Sequence, residues 1–351
     1  MPDARLQPSD ATSVLHEQLK RYRDVTLAGL LAAIPEREPR EYLYGPVASY
    51  LRRIGKSVRP ALCLATCRAF GGDSDAATIS AVAIEMLHNA FLVHDDVEDE
   101  SELRRGHPTM HAEYGVPLAV NAGDMLNALS LRMLRDNLPR LGPQLTWRVL
   151  DEFDHMMRES IEGQAMELGW VRDNRCDLTD ADYLRMVLKK TCWYSFIQPC
   201  RIGALIATRD ALDLDRFNRF GYYLGAAFQI QDDLLNLVGD RGRYGKEIGG
   251  DLLEGKRTLM LIHLFRQLKN GDLRQLRGFL SQPRARRSSA EIDWVMDLMR
   301  SHGSLDYART IARQLAGAAL FEFSRAFGSV PPSDDRQFVQ EIIHYMVGRD
   351  L

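Results

Sequence analysis

The chain has 351 residues, with 45 Lys and Arg against 48 Asp and Glu, so its formal net charge is −3. With 45% hydrophobic and 26% charged residues, the composition is that of an ordinary globular protein. It excludes a collagen, a low-complexity chain and a disulfide-dense secreted domain. A general nucleic-acid binder carries a large basic excess, so the balanced charge argues against that class as well.

Apolar residues recur at intervals of three and four along most of the chain, which is the period of an amphipathic helix. The pattern is clearest over residues 79–93, 125–134 and 224–235. Strict two-residue alternation over the length of a strand is hard to find. We therefore predict an all-α fold of roughly a dozen helices.

Glycine and proline divide these helices at plausible places. Pro35 follows the first long helix, and Gly71 and Gly72 end another. Ser288 and Glu291 have the spacing of a capping box at a helix start. We see neither an internal repeat nor a linker, and we predict one domain over residues 1–351.

The five cysteines are odd in number and scattered: Cys63, Cys67, Cys176, Cys192 and Cys200. Because no second pair or nearby His completes a zinc site, we expect core thiols in a reducing compartment.

Residues 1–5 lack the apolar core of a signal peptide, and the apolar stretch at residues 27–34 is too short to span a bilayer. We expect a cytoplasmic protein with no stable membrane anchor.

Two loops carry charge. Residues 239–256 contain six glycines, and they are either an exposed loop or a mobile lid that carries Lys246 and Lys256 over an anionic ligand. The basic run 284–287 is most simply a solvated surface loop, since charge runs at surfaces are common, and a phosphate site is the alternative.

The strongest local signal is an acidic cluster that follows the apolar run at residues 90–93. On a helix, Asp95 and Asp99 lie one turn apart on one face, and Asp96 lies at its edge. Like charges at the mouth of a core need a compensating cation. Oxygen ligands suit Mg²⁺ better than Zn²⁺, so the cluster predicts a magnesium site.

A second cluster repeats this design in residues 228–236, where Asp232 and Asp233 follow an apolar helix. Two acidic helix ends that face each other across a bundle would hold several Mg²⁺ ions. Because Mg²⁺ usually shares its ligand shell with substrate phosphates, a diphosphate is the natural guest.

Basic residues fit that guest. Lys56 and Arg59 stand at a predicted helix start, where backbone amides also favour anions. Arg104 and Arg105 follow the first acidic cluster within two turns, and Lys190 is followed by the hydroxyl of Thr191. Together, the acidic clusters and the basic residues indicate diphosphate chemistry.

The ordered set of motifs resembles the trans-isoprenyl diphosphate synthases. The segments that carry the resemblance run from residue 55 to 257: Gly55–Pro60, His88, Asp95–Asp99, Arg104–Gly106, Lys190–Thr191, Phe228–Asp233, Gly245–Asp251 and Lys256. The resemblance implies a single-domain helical bundle around a deep central cavity, a homodimer and about three Mg²⁺ ions per site. It also implies head-to-tail condensation of isopentenyl diphosphate with an allylic diphosphate (dimethylallyl, geranyl or farnesyl).

The same resemblance assigns roles by motif position. Isopentenyl diphosphate would be held by Lys56, Arg59, His88 and Arg105. The allylic diphosphate would be held by Arg104, Lys190, Lys256 and Lys246, with help from Thr191 and Gln229. Asp95, Asp99 and Asp232 would be the main Mg²⁺ ligands, supported by Asp96 and Asp233. Asn236 departs from the family, in which many members carry a third Asp there.

Product length is expected to depend on the two residues that lie four and five positions before Asp95. In the resembling family, aromatic side chains there form the floor that stops chain growth. This chain has the small Ala90 and the large Phe91, which points to geranylgeranyl diphosphate, C20. A C15 or C25 product is the near alternative, and core packing is the plain structural role for Phe91.

Two other interpretations stay open. A class I terpene cyclase also uses a DDxxD motif, but it has no isopentenyl diphosphate to hold, so Lys56, Arg59 and the Arg104–Arg105 pair favour the synthase. A non-catalytic subunit would only modulate a partner, and intact aspartates in both clusters argue against it.

Overall fold

The computed structural model describes residues 8–53, 55–239 and 249–347. Over these ranges the chain is mostly helical, with short connections and one small β-hairpin, which confirms the predicted all-α fold. The first half contains α1 (Pro8–Ala32), α2 (Gly45–Arg52), α3 (Val58–Ala69), α4 (Ser74–Glu98), α5 (Met110–Tyr114), α6 (Val116–Arg135), α7 (Leu138–Leu141) and α8 (Pro143–Arg172).

The second half contains α9 (Asp180–Val187), α10 (Gln198–Thr208), α11 (Arg216–Val238), α12 (Gly250–Glu254), α13 (Leu259–Gln267), α14 (Asn270–Leu280), α15 (Ser289–Ser301), α16 (Ser304–Ala326) and α17 (Asp334–Val347). Two segments are π-helical, Arg40–Tyr44 and Leu188–Ile197, and Arg284–Arg286 forms one 3₁₀ turn. The strands β1 (Leu103–Arg104) and β2 (His107–Pro108) form a small antiparallel hairpin.

Helix boundaries fall where the sequence predicts them. α1 ends at Ala32, shortly before Pro35, and α3 ends at Ala69, two residues before Gly71. Gly71 has a φ of 81°, a value that suits glycine. The capping box of α15 is present, because the side chains of Ser288 and Glu291 each accept a hydrogen bond from the other residue's backbone amide. Local capping chemistry therefore sets these ends as expected.

α4 lies at the centre of the molecule and packs against α3 and α6. Among the described residues it is the one helix long and apolar enough to cross a membrane, but most of it is buried inside the protein. Its burial is that of a core helix. The cysteines behave as expected: all five are free thiols, four of them are buried and Cys176 is half-buried.

The buried apolar side chains form two clusters, and α11 belongs to both. Its first half contributes Phe217, Phe220 and Leu224 to the cluster built on α1–α8, α10, the second half of α16 and α17. Its second half contributes Ile230 and Leu234 to the cluster built on α9 and α12–α16. α11 therefore packs in both clusters and joins them.

The π-helical segment Leu188–Ile197 passes very close to α8 and α11. A Cβ atom at Gly163 of α8 would lie 2.2 Å from the backbone nitrogen of Lys190, and one at Gly225 of α11 would lie 2.9 Å from the Cα of Cys192. Side chains at these positions cannot be accommodated without moving backbone. The two glycines thus let Lys190 approach the centre of the molecule.

We predict that Gly163→Ala destabilises the protein by about 1–3 kcal/mol, because the added methyl group overpacks the crossing of α8 with this segment. Gly169→Ala is the matched control: it lies in the same helix, and a Cβ there meets nothing within 4 Å. The control should leave stability unchanged or raise it slightly, since alanine favours helix. Thermal unfolding of the two variants tests this, and equal melting temperatures would contradict the close crossing.

Candidate active site

A cavity of about 910 Å³ lies between the C-terminal ends of α4 and α11. It brings together most of the residues predicted for the site: Lys56, Arg59, His88, Asp95, Arg104, Arg105, Lys190, Thr191, Gln229, Asp232, Asp233 and Lys256. Asp96 and Asp99 are buried at the end of α4, next to this wall. Lys246 lies outside the described residues.

Both acidic clusters stand at the C-terminal end of a long helix. The last turns of α4 and α11 contain no basic residue. The helix dipole places partial negative charge in the last turn, so the carboxylates at the end of α4 are disfavoured both by one another and by the helix. Cations from other parts of the chain must compensate.

Three basic side chains supply that compensation to the first cluster. Arg104 donates to the buried Asp96 with an Nε–Oδ1 distance of 2.9 Å. Lys256 Nζ lies 2.7 Å from Oδ2 of Asp99. Lys190 Nζ lies 3.9 Å from Oδ1 of Asp95. Each aspartate of the motif therefore has its own cation, contributed by β1, by the residues after α12 or by the π-helical segment.

Electrostatics keep these cations charged in spite of their burial. Burial opposes the protonated form of Lys190, but Asp95 and Glu167 outweigh it and raise the lysine's pKa. Burial acts in the same direction on Lys256, and Asp99 with Glu254 likewise raise its pKa. Both ammonium groups are therefore positive at neutral pH, as an anion site requires.

The second cluster has one aspartate open to the cavity and one held by the protein. Asp232 is half-buried and lines the cavity wall. Asp233 is buried, and it accepts hydrogen bonds of 2.8 Å from both Tyr183 and Gln229. Thr191 in turn donates to the side-chain oxygen of Gln229 at 2.8 Å. This chain of bonds fixes Gln229 and Thr191 beside Asp232.

Asn236 braces the backbone that leads to Lys256. It is 2% exposed, and its side-chain oxygen accepts a 3.0 Å hydrogen bond from the backbone amide of Asp251. Its backbone carbonyl accepts another from the amide of Gly249 at 2.8 Å. Through these two hydrogen bonds, Asn236 holds the start of α12 against α11.

A separate basic group lies at the start of α3. Arg59 donates to the hydroxyls of Tyr194 and Ser195 at 2.9 and 2.8 Å, and its guanidinium lies 4.4 Å from the centroid of the Tyr194 ring. Its Nη1 is 3.3 Å from Nε2 of His88. Lys56 is exposed beside this group, 5.0 Å from the ring centroid of Tyr345 in α17.

The β1–β2 hairpin separates the two consecutive arginines. Arg105 and Gly106 form its turn with φ values of 54° and 75°, so both residues adopt left-handed backbone. Arg104 consequently reaches Asp96, whereas Arg105 donates to the backbone carbonyl of Arg53 at 2.6 Å. One dipeptide thus serves two different parts of the cavity.

Two buried glutamates belong to the site although the sequence analysis did not select them. Glu85 of α4 and Glu167 of α8 both line the cavity. Glu167 pairs with Lys190, and the pKa of Glu85 is raised by burial, with Arg59 and Arg105 opposing. Each lies on the buried stripe of its helix, where a charged residue is unusual, and that signal was available in the sequence.

The donor set suits magnesium that a substrate helps to bind. Within the described ranges, no three carboxylates or imidazoles converge closely enough to hold an ion by themselves. Asp95 and Asp232 nevertheless present oxygen ligands to the cavity from the two helix ends. Because Mg²⁺ is usually bound by one or two carboxylates together with substrate phosphates, a complete protein cage is not needed.

Below these charges the cavity is apolar. Leu92, Met186, Phe196, Phe228 and Leu235 line it. Ala90 is fully buried in α4, and the half-buried ring of Phe91 meets the Tyr194 ring edge-on at 5.8 Å. Tyr194 lines the cavity, so Phe91 supports that wall from behind. A ligand with an anionic head group and a long apolar tail would fit a cavity that is charged in one part and apolar in the other.

Comparison with known proteins places the chain among prenyl diphosphate synthases. The family described as polyprenyl synthetase matches residues 40–299. A geranylgeranyl pyrophosphate synthase from Geoglobus acetivorans is 33% identical, over 90% of this chain and 93% of its own. An octaprenyl diphosphate synthase from Escherichia coli is 31% identical, over 84% of this chain and 86% of its own. The crystal structure of a geranylgeranyl pyrophosphate synthetase from Pyrococcus horikoshii matches with a TM-score of 0.83 and 31% identity, over 96% and 98% of the two chains.

We predict that His88 makes the protein less stable in mild acid. Burial, with the nearby Arg59 and Arg105, holds the pKa of His88 well below its ordinary value of 6.5. Below pH 6.5 the unfolded chain binds a proton that the folded one does not, which costs about 1.4 kcal/mol at pH 5.5 and almost nothing at pH 7.5.

Melting temperatures at these two pH values test the prediction. His88→Gln, a neutral replacement, should reduce the loss of melting temperature between pH 7.5 and 5.5. His107→Gln changes an exposed side chain of β2 and should leave the loss as in wild type. An equal loss in all three proteins would contradict a buried, neutral His88.

Proposed function

The chain belongs to the polyprenyl synthetase family, and on that basis we propose that it makes geranylgeranyl diphosphate, C20. As a member of this family it is a magnesium-dependent prenyltransferase that acts on isoprenyl diphosphates. The observation that carries the proposal is the cavity in which two acidic helix ends and several basic residues stand above an apolar wall. The charged residues complement a diphosphate head group, and the apolar wall complements a prenyl tail.

The proposed division of residues follows the two charged groups of the cavity. The allylic diphosphate (dimethylallyl, geranyl or farnesyl) would bind to Arg104, Lys190 and Lys256, with Thr191 and Gln229 beside them and Lys246 added by analogy with the family. Isopentenyl diphosphate would bind to Lys56, Arg59, His88 and Arg105. The 3.3 Å approach of Arg59 to His88 supports the second assignment.

Magnesium would be held by Asp95, Asp99 and Asp232, with Asp96 and Asp233 in support, and about three ions is the number we propose. When bound, Mg²⁺ supplies positive charge that stabilises the departing diphosphate. The indirect role of Asp96 and Asp233 is supported by their protein partners, Arg104 for the first and Tyr183 for the second.

The chemistry then follows from what the side chains do. Arg104, Lys190 and Lys256 stabilise negative charge as the allylic C–O bond breaks. The apolar wall, which includes Phe196 and Phe228, excludes water that would quench the allylic cation. The double bond of isopentenyl diphosphate forms the new C–C bond, and a proton is lost to the released diphosphate.

We also propose that residues 1–351 act as a single domain within a cytoplasmic homodimer. The contribution of α11 to both apolar clusters supports a single domain. Exposed large apolar side chains on α6 and α8 favour a second copy as partner: Val116, Leu118, Val120, Leu131, Trp147 and Ile161. Free thiols at all five cysteines fit a reducing compartment.

Incubation with labelled isopentenyl diphosphate and each allylic diphosphate tests the function, with products identified by mass spectrometry. We predict label in a C20 diphosphate, and no turnover in excess chelator.

Asp95→Ala and Asp232→Ala should each lower the rate by about 100-fold or more, a loss typical when stabilisation of developing charge is removed. Asp151→Asn changes an exposed residue of α8 and should retain activity. Substantial turnover without divalent metal, or cyclic hydrocarbons without uptake of label, would contradict the proposal.

Product length should respond to the residues before Asp95. We predict that Phe91→Ala gives longer products, because removing the ring takes away the support behind Tyr194 and opens space along the tail. Ala90→Phe should give shorter products. Chain lengths measured by mass spectrometry decide this, and unchanged products in both variants would remove Ala90 and Phe91 from the chain-length floor.

A further inference from the structure

The basic loop between α14 and α15 folds back towards the active site instead of lying in solvent. Arg286 is exposed, as a surface loop predicts, but Arg284 and Arg287 are half-buried. Arg284 Nη1 donates to the backbone carbonyl of Asp99 at 3.1 Å, and it lies 3.5 Å from Oε1 of Glu254. The solvated-loop interpretation is therefore wrong for Arg284 and Arg287. The loop joins the end of α4 to the end of α12.

Glu254 connects this loop to Lys256. Its carboxylate is 9% exposed, and Oε2 lies 2.6 Å from Lys256 Nζ. Lys256 in turn reaches Asp99 at 2.7 Å. The contacts close a ring in which Arg284 and Lys256 each touch both Asp99 and Glu254. Such a ring fixes the end of α12 relative to the acidic end of α4.

Arg287 fastens the same turn from its other side. It donates to the backbone carbonyls of Leu252 and Leu253 at 3.1 and 2.6 Å, and to that of Leu280 at 2.9 Å. The first two are carbonyls near the C-terminal end of α12, which need partners from outside the helix. The backbone before Lys256 is thus held to α14, so Arg284 acts on a turn that is already anchored.

We propose that Arg284 is a positioning residue for the allylic subsite, acting on Lys256 through Glu254. The inference rests on the proposed function. A lysine side chain is long and flexible, so holding its ammonium group in advance reduces the entropy lost when diphosphate binds. Without Arg284, Oε1 of Glu254 keeps the 3.5 Å hydrogen bond from Ser101 but loses its cation, so the carboxylate holds Lys256 less firmly.

The group that would bind isopentenyl diphosphate provides an internal comparison. Arg59 is oriented by Tyr194 and Ser195, and Arg105 by the carbonyl of Arg53. Arg284 takes part in none of these contacts. Loss of Arg284 should therefore affect the allylic substrate and leave the second substrate largely unaffected.

Steady-state kinetics with each substrate varied in turn test the proposal. We expect Arg284→Ala to lower kcat/KM for geranyl diphosphate about 10-fold, while KM for isopentenyl diphosphate changes less than twofold. Arg284→Lys should recover part of the loss, because it keeps the charge but not the planar fork. Arg286→Ala, on the same turn, is the matched control and should behave as wild type.

A double-mutant cycle separates positioning from general damage to the fold. If Arg284 acts through Glu254, the double variant Arg284→Ala/Glu254→Gln should lose much less kcat/KM for geranyl diphosphate than the two single losses combined. Additive losses, equal losses for both substrates, or identical kinetics for Arg284→Ala and Arg286→Ala would overturn the proposal. Those results concern Arg284 alone and leave the proposed function standing. A wild-type protein that makes no prenyl diphosphate would instead overturn the proposed function, so the two failures can be told apart.

Discussion

The structure depends on the compensation of negative charge at two helix ends. α4 finishes in aspartates, where the helix dipole adds to their repulsion, whereas Asp232 and Asp233 lie one turn before the end of α11. Neither helix has a basic residue in its last turn. The cations that pair with the aspartates of α4 come from β1, from the π-helical segment and from the residues after α12. On α11, Asp233 instead accepts hydrogen bonds from Tyr183 and Gln229. Three irregular parts of the fold thus place cations beside the acidic end of α4.

Irregular backbone is placed where this compensation requires it. The π-helical segment carries Lys190 between α8 and α11, and glycines on both helices allow the close approach. Such segments are often found at functional sites. The left-handed turn at Arg105 likewise lets two neighbouring arginines face different partners. Local distortion of the backbone is therefore part of how the cavity is built.

Much of the site could be predicted from sequence because its signals are local. The DDxxD spacing, the paired Asp232 and Asp233 and the capping box at Ser288 each lie within a few residues. The roles of Glu167 and Arg284 could not be predicted in this way, since each acts on a residue far along the chain. Ion pairs of that kind are set by tertiary packing, and Arg284 was accordingly expected in solvent.

The contacts of Asn236 depend on tertiary packing in the same way. From sequence it appears as a substituted aspartate, whereas its hydrogen bond to the amide of Asp251 depends on how α12 meets α11. The fold class, by contrast, follows from apolar periodicity repeated over many helices, a signal that no single contact can mask.

The central claim is that carboxylates and cations at the ends of α4 and α11 form one unit, which accepts a diphosphate together with Mg²⁺. Calorimetric binding of a non-reacting thiolo analogue of geranyl diphosphate, with and without Mg²⁺, tests this most directly. We expect tight binding with Mg²⁺ and at least a 100-fold loss of affinity in excess chelator, because the carboxylates then repel the anion. Equally tight binding in both conditions would contradict it.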